Sequence, residues 1–231
     1  MTGPGPSPVA IAPVLGIPEV SEGDDVAALL VEHAPELRDG DVVVVAHKVV
    51  SKAEGATRAG ADKLAVALEE SARVLRRSGD TIISETRHGL VCANAGVDAS
   101  NVPGDRLVTL PVDPDASARR MRARIARATG AEVAVIVSDT FGRAWRLGQT
   151  NVAIGVAGMD PFLDLRGERD ACGEELTATR ICVADEIASA AELVMGKSDG
   201  VPAAIVRGVR VRRGRGAAAA IARPPEEDLF R

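Results

Sequence analysis

The sequence predicts an α+β fold, a mixed sheet with flanking helices, on three observations. Two Val-rich runs, 42–46 and 133–137, are strand-length and apolar on both faces, as in strands covered on both sides. Helical periodicity recurs in 26–33, 116–128 and 185–195. Several strand patterns follow one another with no helix between them, which argues against a regular βαβ winding.

In chain order, residues 1–8 are rich in Gly, Pro and Ser and read as a flexible leader. Residues 9–14 read as a short strand. Asp24 and Asp25 open a helix with Val26, Leu29, Leu30 and His33 on one face. Residues 41–46 form a buried strand. Lys48 and Lys52 follow it, four apart, so that a helical turn puts both on one face. They can meet phosphate as point charges or form an ordinary solvated face. The spacing of Leu64, Leu68, Ala72 and Leu75 predicts a helix over 61–77, stopped by Ser78-Gly79. Strands are expected at 81–84, 89–93 and 106–110. A helix over 116–128 carries five Arg and ends at Gly130. Strands at 132–137 and 151–156, a helix at 185–195 and a strand at 203–206 complete the reading, with residues 140–148 between strands as a loop.

Composition narrows the function classes. The 231 residues carry 28 Lys and Arg against 33 Asp and Glu, a net charge of -5, so the chain lacks the basic footprint of a nucleic-acid binder. Three Phe, one Trp and no Tyr leave no stacking platform for single strands and no aromatic belt for a membrane. Cys92, Cys172 and Cys182 are odd in number and lack metal spacing, which fits small core or loop residues in a reducing cytoplasm. The apolar runs are far too short to span a bilayer.

Two carboxylates stand where ligands gather. Asp139 follows a buried strand directly, and Asp98 lies in Gly96-Val97-Asp98-Ala99-Ser100-Asn101. Their oxygens suit Mg²⁺ or Mn²⁺, which binds through one or two carboxylates plus phosphate. The structural alternative is an Asx-turn at Asp98 and a cap at Asp139. Arg143 and Arg146 flank Trp145 just beyond and can clamp an anion. Met195-Gly196-Lys197-Ser198 ends like a P-loop, but Ala191 holds the first glycine position and a helix leads in. Gly196 reads better as that helix's C-cap.

Ordered blocks then make a pattern: Gly16-Ile17-Pro18-Glu19, Gly23-Asp24-Asp25, Lys48-Val49-Val50-Ser51-Lys52-Ala53-Glu54-Gly55, Ala93-Asn94-Ala95-Gly96-Val97-Asp98, Ser138-Asp139-Thr140-Phe141-Gly142-Arg143, Asp164-Leu165-Arg166-Gly167, and Ala184-Asp185-Glu186 running on to Met195-Gly196-Lys197. With these the chain resembles the coenzyme F420-0:gamma-glutamyl ligase family nearly end to end. The resemblance implies a ligase domain over 9–223, with 224–231 as a tail or as a junction to a fused or separate reductase domain. It implies an intertwined homodimer and a GTP-dependent reaction that adds L-glutamate to coenzyme F420-0 and extends the tail by gamma-linkages. Mg²⁺ or Mn²⁺ is required and K⁺ assists. Asp98, Asp139 and Thr140 are implied as metal ligands, with Asp98 and Asp139 catalytic. Ile17, Pro18, Glu19, Val20, His47, Lys52, Asn101, Leu193, Met195, Gly196, Lys197 and Gly200 are implied at the nucleotide. Arg143 and Arg146 are candidate clamps for the coenzyme's phosphodiester or the incoming glutamate. A metal-dependent GTP hydrolase or phosphotransferase, and a non-catalytic deazaflavin- or nucleotide-binding domain, are the alternatives. Phosphate release without glutamylation marks the first; no GTP turnover marks the second.

Overall fold

A computed structural model describes residues 8–34, 36–100 and 104–229. Its elements are β1 (Ala10–Pro13), α1 (Val26–His33), β2 (Val42–Ala46), α2 (His47–Ala53), β3 (Thr57–Ala59), α3 (Lys63–Glu69), β4 (Ser71–Ser78), β5 (Thr81–Thr86), β6 (Val91–Ala93), β7 (Arg106–Val108), α4 (Pro114–Thr129), β8 (Ala134–Arg143), β9 (Arg146–Ala157), β10 (Leu163–Asp164), β11 (Arg180–Ile181), α5 (Val183–Met195) and β12 (Ala203–Arg207). The leader expected at 1–8 lies almost wholly outside the described residues. The segment 224–231 contributes a 3₁₀ turn at Pro225–Glu227.

The main sheet has the order β1-β12-β2-β8-β9, with β2 and β8 parallel and the other pairs antiparallel. This is the mixed sheet that the strand-after-strand pattern predicts. Period-two alternation divides its side chains between two cores. Val43, Val45, Val135, Val137 and Ile205 pack under α1 and α4, while Val42, Val44, Ile136, Ala204 and Val206 pack under α5. Burial on both faces is why these strands read as unbroken Val and Ile. The helices start and stop where sequence chemistry says. Asp25 caps α1 through the backbone N–H groups of Ala27 and Ala28, Asp113 caps α4 through Ala116 N–H, and Gly130 ends α4 in the left-handed conformation. Among the described residues, no helix is long and apolar enough to cross a membrane.

Two expectations are corrected. The helix expected over 61–77 is half helix: α3 ends at Glu69, and Ser71–Ser78 instead pairs antiparallel with β5. Ser78 is therefore the last residue of β4, and Gly79, at φ 58°, opens the two-residue hairpin turn Gly79-Asp80 and is not a helix stop. Ser71 Oγ donates to the Ala67 carbonyl, and Arg73 pairs with Glu85 across the strands at 3.1 Å. Helix propensity is a weak preference, and strand pairing overrides it here. The loop expected over 140–148 is the distal part of a long β8–β9 hairpin, paired from Thr140↔Asn151 to Arg143↔Arg146. Both faces of its tip meet solvent, so no apolar alternation signalled it. Trp145 sits at the tip with φ 57° and 79% of its surface exposed.

Strands β3 to β7 and helix α3 form a smaller lobe around Val66, Ala67, Ile82, Val97 and Leu107. It joins the main sheet where β6 meets β8 and α2 meets β7.

Candidate active site

Strand β2 ends at Ala46, opposite Ser138 of its parallel neighbour β8, which runs on to Arg143, so Asp139 lies within β8 and not after its end as expected. The chain turns from β2 into α2 with no linker, so His47 is both the first helical residue and a side chain at the strand terminus. Ligands of open sheets gather at such carboxyl ends. Here the segment after β1 and the segment after α5 enclose a cavity of about 560 Å³, the size of a small-molecule site. Ile17, Pro18, Glu19 and Val20 form one wall, and Met195, Gly196, Lys197, Gly200 and Pro202 another. His47, Lys48, Lys52, Ser138, Asp139 and Thr140 form the floor and sides.

Asp139 is the central anion. Its Oδ1 accepts from Thr140 N–H at 2.7 Å and lies 3.1 Å from His47 Nε2. Burial alone would raise the Asp139 pKa, but the His47 imidazole, the Thr140 N–H and the charge of Lys197 outweigh it and hold the carboxyl below its usual range. Oδ2 accepts no hydrogen bond from the described residues. The buried hydroxyl of the preceding residue, Ser138, has no hydrogen-bond partner among the described residues, and His47 Nε2 makes no well-directed hydrogen bond. His47 Nδ1 faces Ser51 Oγ at 3.4 Å.

The two lysines of α2 share a face, as their spacing predicts, but the face is not solvated: each side chain is only 12% exposed. Lys48 Nζ lies 2.6 Å from Asp98 Oδ2, and Lys52 Nζ lies 2.6 Å from Glu19 Oε1. Asp98 belongs to the smaller lobe, where its backbone pairs with Val108. Its side chain also accepts from the N–H and the hydroxyl of Ser100, the expected Asx-turn. Burial opposes ionisation of Asp98, but Lys48 and Ser100 prevail and hold its pKa well below the usual carboxylate range.

A polar chain crosses the opposite side. Asn151 Nδ2 donates to Glu192 Oε2 at 2.7 Å, Thr140 Oγ1 donates to Asn151 Oδ1 at 2.8 Å, and Lys197 Nζ donates to Thr140 Oγ1 at 3.3 Å. Sequence reading missed Asn151 and Glu192. A signal existed: Asp185, Ser189 and Glu192 form a polar stripe at helical spacing on the otherwise apolar α5, and all three bond to β9 or its residues.

Other expected residues lie elsewhere. Leu193 is 83% exposed and absent from the cavity wall. Arg143 and Arg146 lie at the far end of the β8–β9 hairpin, where Arg143 donates to the Leu147 carbonyl, and neither lines the cavity of its own chain. Asn101 lies outside the described residues. Gly196 caps α5, with its N–H bonded to the Glu192 carbonyl, and no P-loop forms. The cysteines are unpaired, and burial with the nearby Asp139 charge pushes the Cys92 thiol up to about 12, so it is no nucleophile.

The donor set fits a hard divalent ion that arrives with phosphates. Asp139 and Thr140 are neighbouring oxygen donors, and both line the cavity. Among the described residues, no cluster of three or more His, Cys, Asp or Glu forms a protein-only cage. Mg²⁺-type ions take one or two carboxylates and complete their shell with phosphate and water.

The model of the F420-0:Gamma-glutamyl ligase family matches residues 15–62 and 56–208. This chain belongs to that family. It is 45% identical to the coenzyme F420:L-glutamate ligase of Methanothermobacter thermautotrophicus, over 96% of this chain and 99% of that protein. The proteins of the same name from Methanopyrus kandleri and Archaeoglobus fulgidus are 45% and 42% identical, over 92% and 96% of this chain and 94% and 96% of theirs. The matched segments include every wall of the cavity.

Proposed function

We propose that this chain joins L-glutamate to the carboxylate of coenzyme F420-0 and extends the product by gamma-linkages, with GTP as the activating substrate. Family membership supports the ligase reading. The observation in the structure that carries it furthest is one cavity lined by three lysines, Lys48, Lys52 and Lys197, together with the Asp139 carboxylate, on which the Lys197 charge acts. That arrangement suits phosphate bound with a cation.

A carboxylate does not condense with an amine at neutral pH unless its oxygen becomes a leaving group. In the proposed path the coenzyme carboxylate attacks the γ-phosphorus of GTP, and the bond to GDP breaks. The glutamate amine, having lost a proton, then attacks the acyl carbon, and phosphate departs with the C–O bond. Phosphoryl transfer of this kind needs positioning and charge neutralisation more than covalent help. Lys52 and Lys197 neutralise phosphate charge. Ile17, Pro18, Val20 and Met195 supply apolar surface to the nucleoside, and His47 fixes the Asp139 carboxylate. Asp139 and Thr140 would hold the divalent ion, and Asp98, which is paired with Lys48 of the cavity, would be the further carboxylate available to it. When bound, Mg²⁺ or Mn²⁺ supplies neutralisation of the polyphosphate charge. K⁺ and a homodimer belong to the same reading. The exposed Trp145 and Leu147 at the hairpin tip favour association with a second copy.

Mass spectrometry of coenzyme F420-0 incubated with protein, GTP, Mn²⁺ and L-glutamate tests the proposal. Gains of one or more glutamyl units are expected. Phosphate release with unchanged mass favours the hydrolase, and no GTP turnover favours the binding domain.

A further inference from the structure

The polar chain on the α5 side of the cavity has a direction set by its last member. Glu192, as a carboxylate, only accepts hydrogen bonds. Its contact with Asn151 therefore requires the amide NH₂ at that end, and Asn151 Oδ1 must point toward Thr140. The oxygen of Asn151 in turn requires the Thr140 hydroxyl to donate to it. With its single proton spent there, Thr140 Oγ1 turns its lone pairs to other neighbours, and Lys197 Nζ meets one of them. A neutral amide at 192 would permit the reverse order, in which Thr140 accepts from Asn151 and aims its proton outward.

Other features hold this chain in place. Asn151 is 3% exposed, so water does not scramble its amide. Ser189 donates to the Asn151 carbonyl and contacts Thr150, and Asp185 accepts from Ala153 N–H, which together dock α5 on β9. Glu192 thus sits on a rigid element and reads through a buried amide to a hydroxyl beside Asp139.

We infer that Glu192 is a positioning residue whose carboxylate, through Asn151, turns the Thr140 hydroxyl so that its lone pairs face a cation in the cavity. This rests on the reading that Asp139 and Thr140 hold a divalent ion. Groups one bond removed from a metal ligand commonly change metal affinity by about 10- to 100-fold.

The test is Mn²⁺ binding by electron paramagnetic resonance on the purified protein with a non-hydrolysable GTP analogue, with thermal midpoints measured alongside. Glu192→Gln should weaken Mn²⁺ binding about tenfold. Asn151→Ala keeps the charge at 192 but cuts the relay, and it should weaken binding as much. The pair Glu192→Gln with Asn151→Asp restores the direction. The amide introduced at 192 can donate to the carboxylate introduced at 151, and that carboxylate can only accept from Thr140. The pair should recover binding to within about threefold of wild type. Wild-type binding by Glu192→Gln or by Asn151→Ala overturns the inference, as does failure of the double variant to recover while its thermal midpoint is normal. If Asp139→Asn binds Mn²⁺ normally and Glu192→Gln does not, the Asp139 assignment falls and the role of Glu192 stands. If the wild type binds no Mn²⁺ with nucleotide, both fall.

Discussion

Asp41 and Asp139 are two carboxylates at opposite ends of the same sheet, and their bonding differs. Asp41 precedes β2 and is 1% exposed. Arg207 at the end of β12 grips both its oxygens at 2.7 Å, and Arg38 N–H adds a third bond to Oδ2. Both oxygens are held by groups of the protein itself. Asp139 has one backbone hydrogen bond, one imidazole at 3.1 Å and an Oδ2 that the described residues do not bond. Asp115 resembles Asp41: its carboxylate accepts from the N–H groups of Val156, Ala218 and Ala219 and ties the C-terminal segment to β9. Bonding capacity left over next to a cavity, not burial, separates a site from a structural clamp. A saturated carboxylate stabilises the fold, and an unsaturated one is held ready for a partner from outside.

The largest expected effect breaks the contrast at its functional end. Asp139→Asn should lower glutamylation by about 10³-fold, the scale for losing a main electrostatic contact of a transition state, with little change in thermal midpoint. Glutamylation by mass spectrometry and a melting curve on the same sample check both halves. At the structural end, Arg207→Ala should cost about 2 kcal/mol in urea unfolding while nucleotide binding stays as in wild type. That is below the full cost of breaking a buried pair, because the guanidinium is partly exposed. A variant that loses binding but not stability there would reverse the assignment of the two ends.

Lys52→Met should weaken binding of the GTP analogue about tenfold, read by calorimetry, since the substitution keeps the aliphatic stem and removes one phosphate-facing charge. The smallest effect is a pH dependence. Lys48 and Ser100 depress the Asp98 pKa in the folded chain, so the stability it contributes is fully present above the unfolded value near about 4 and is lost as pH falls through the folded value. The difference in unfolding free energy between wild type and Lys48→Met should be constant from about pH 7 to about pH 5 and shrink on further acidification. A difference that grows on acidification would mean that Lys48 acts through another group.

The same contrast separates what was legible in the sequence from what was not. The Val runs of β2 and β8 were plain because burial on both faces demands apolar residues at every position. The caps of α1 and α4 were plain because they are chemistry between near neighbours. Asp139 stands out for the same reason, as a charge where the buried part of β8 gives way to its half-buried part. The exchange of helix for strand over 71–78 was not legible, since that segment pairs with β5 and its own side chains are mostly exposed. Arg143 and Arg146 are close to Asp139 in sequence, yet the hairpin carries them away from the cavity.

The sequence by itself determined the mixed α+β sheet, the family, and the residues at the carboxyl ends of its strands, because those follow from periodicity, local chemistry and ordered motifs. Only the tertiary structure decided which charges meet. Lys48 finds Asp98, Lys52 finds Glu19, and Glu192 reaches Thr140 through Asn151, across separations of 50, 33 and 52 residues in the chain. No local pattern encodes such pairings, because they arise when packed elements bring distant side chains within a few ångströms.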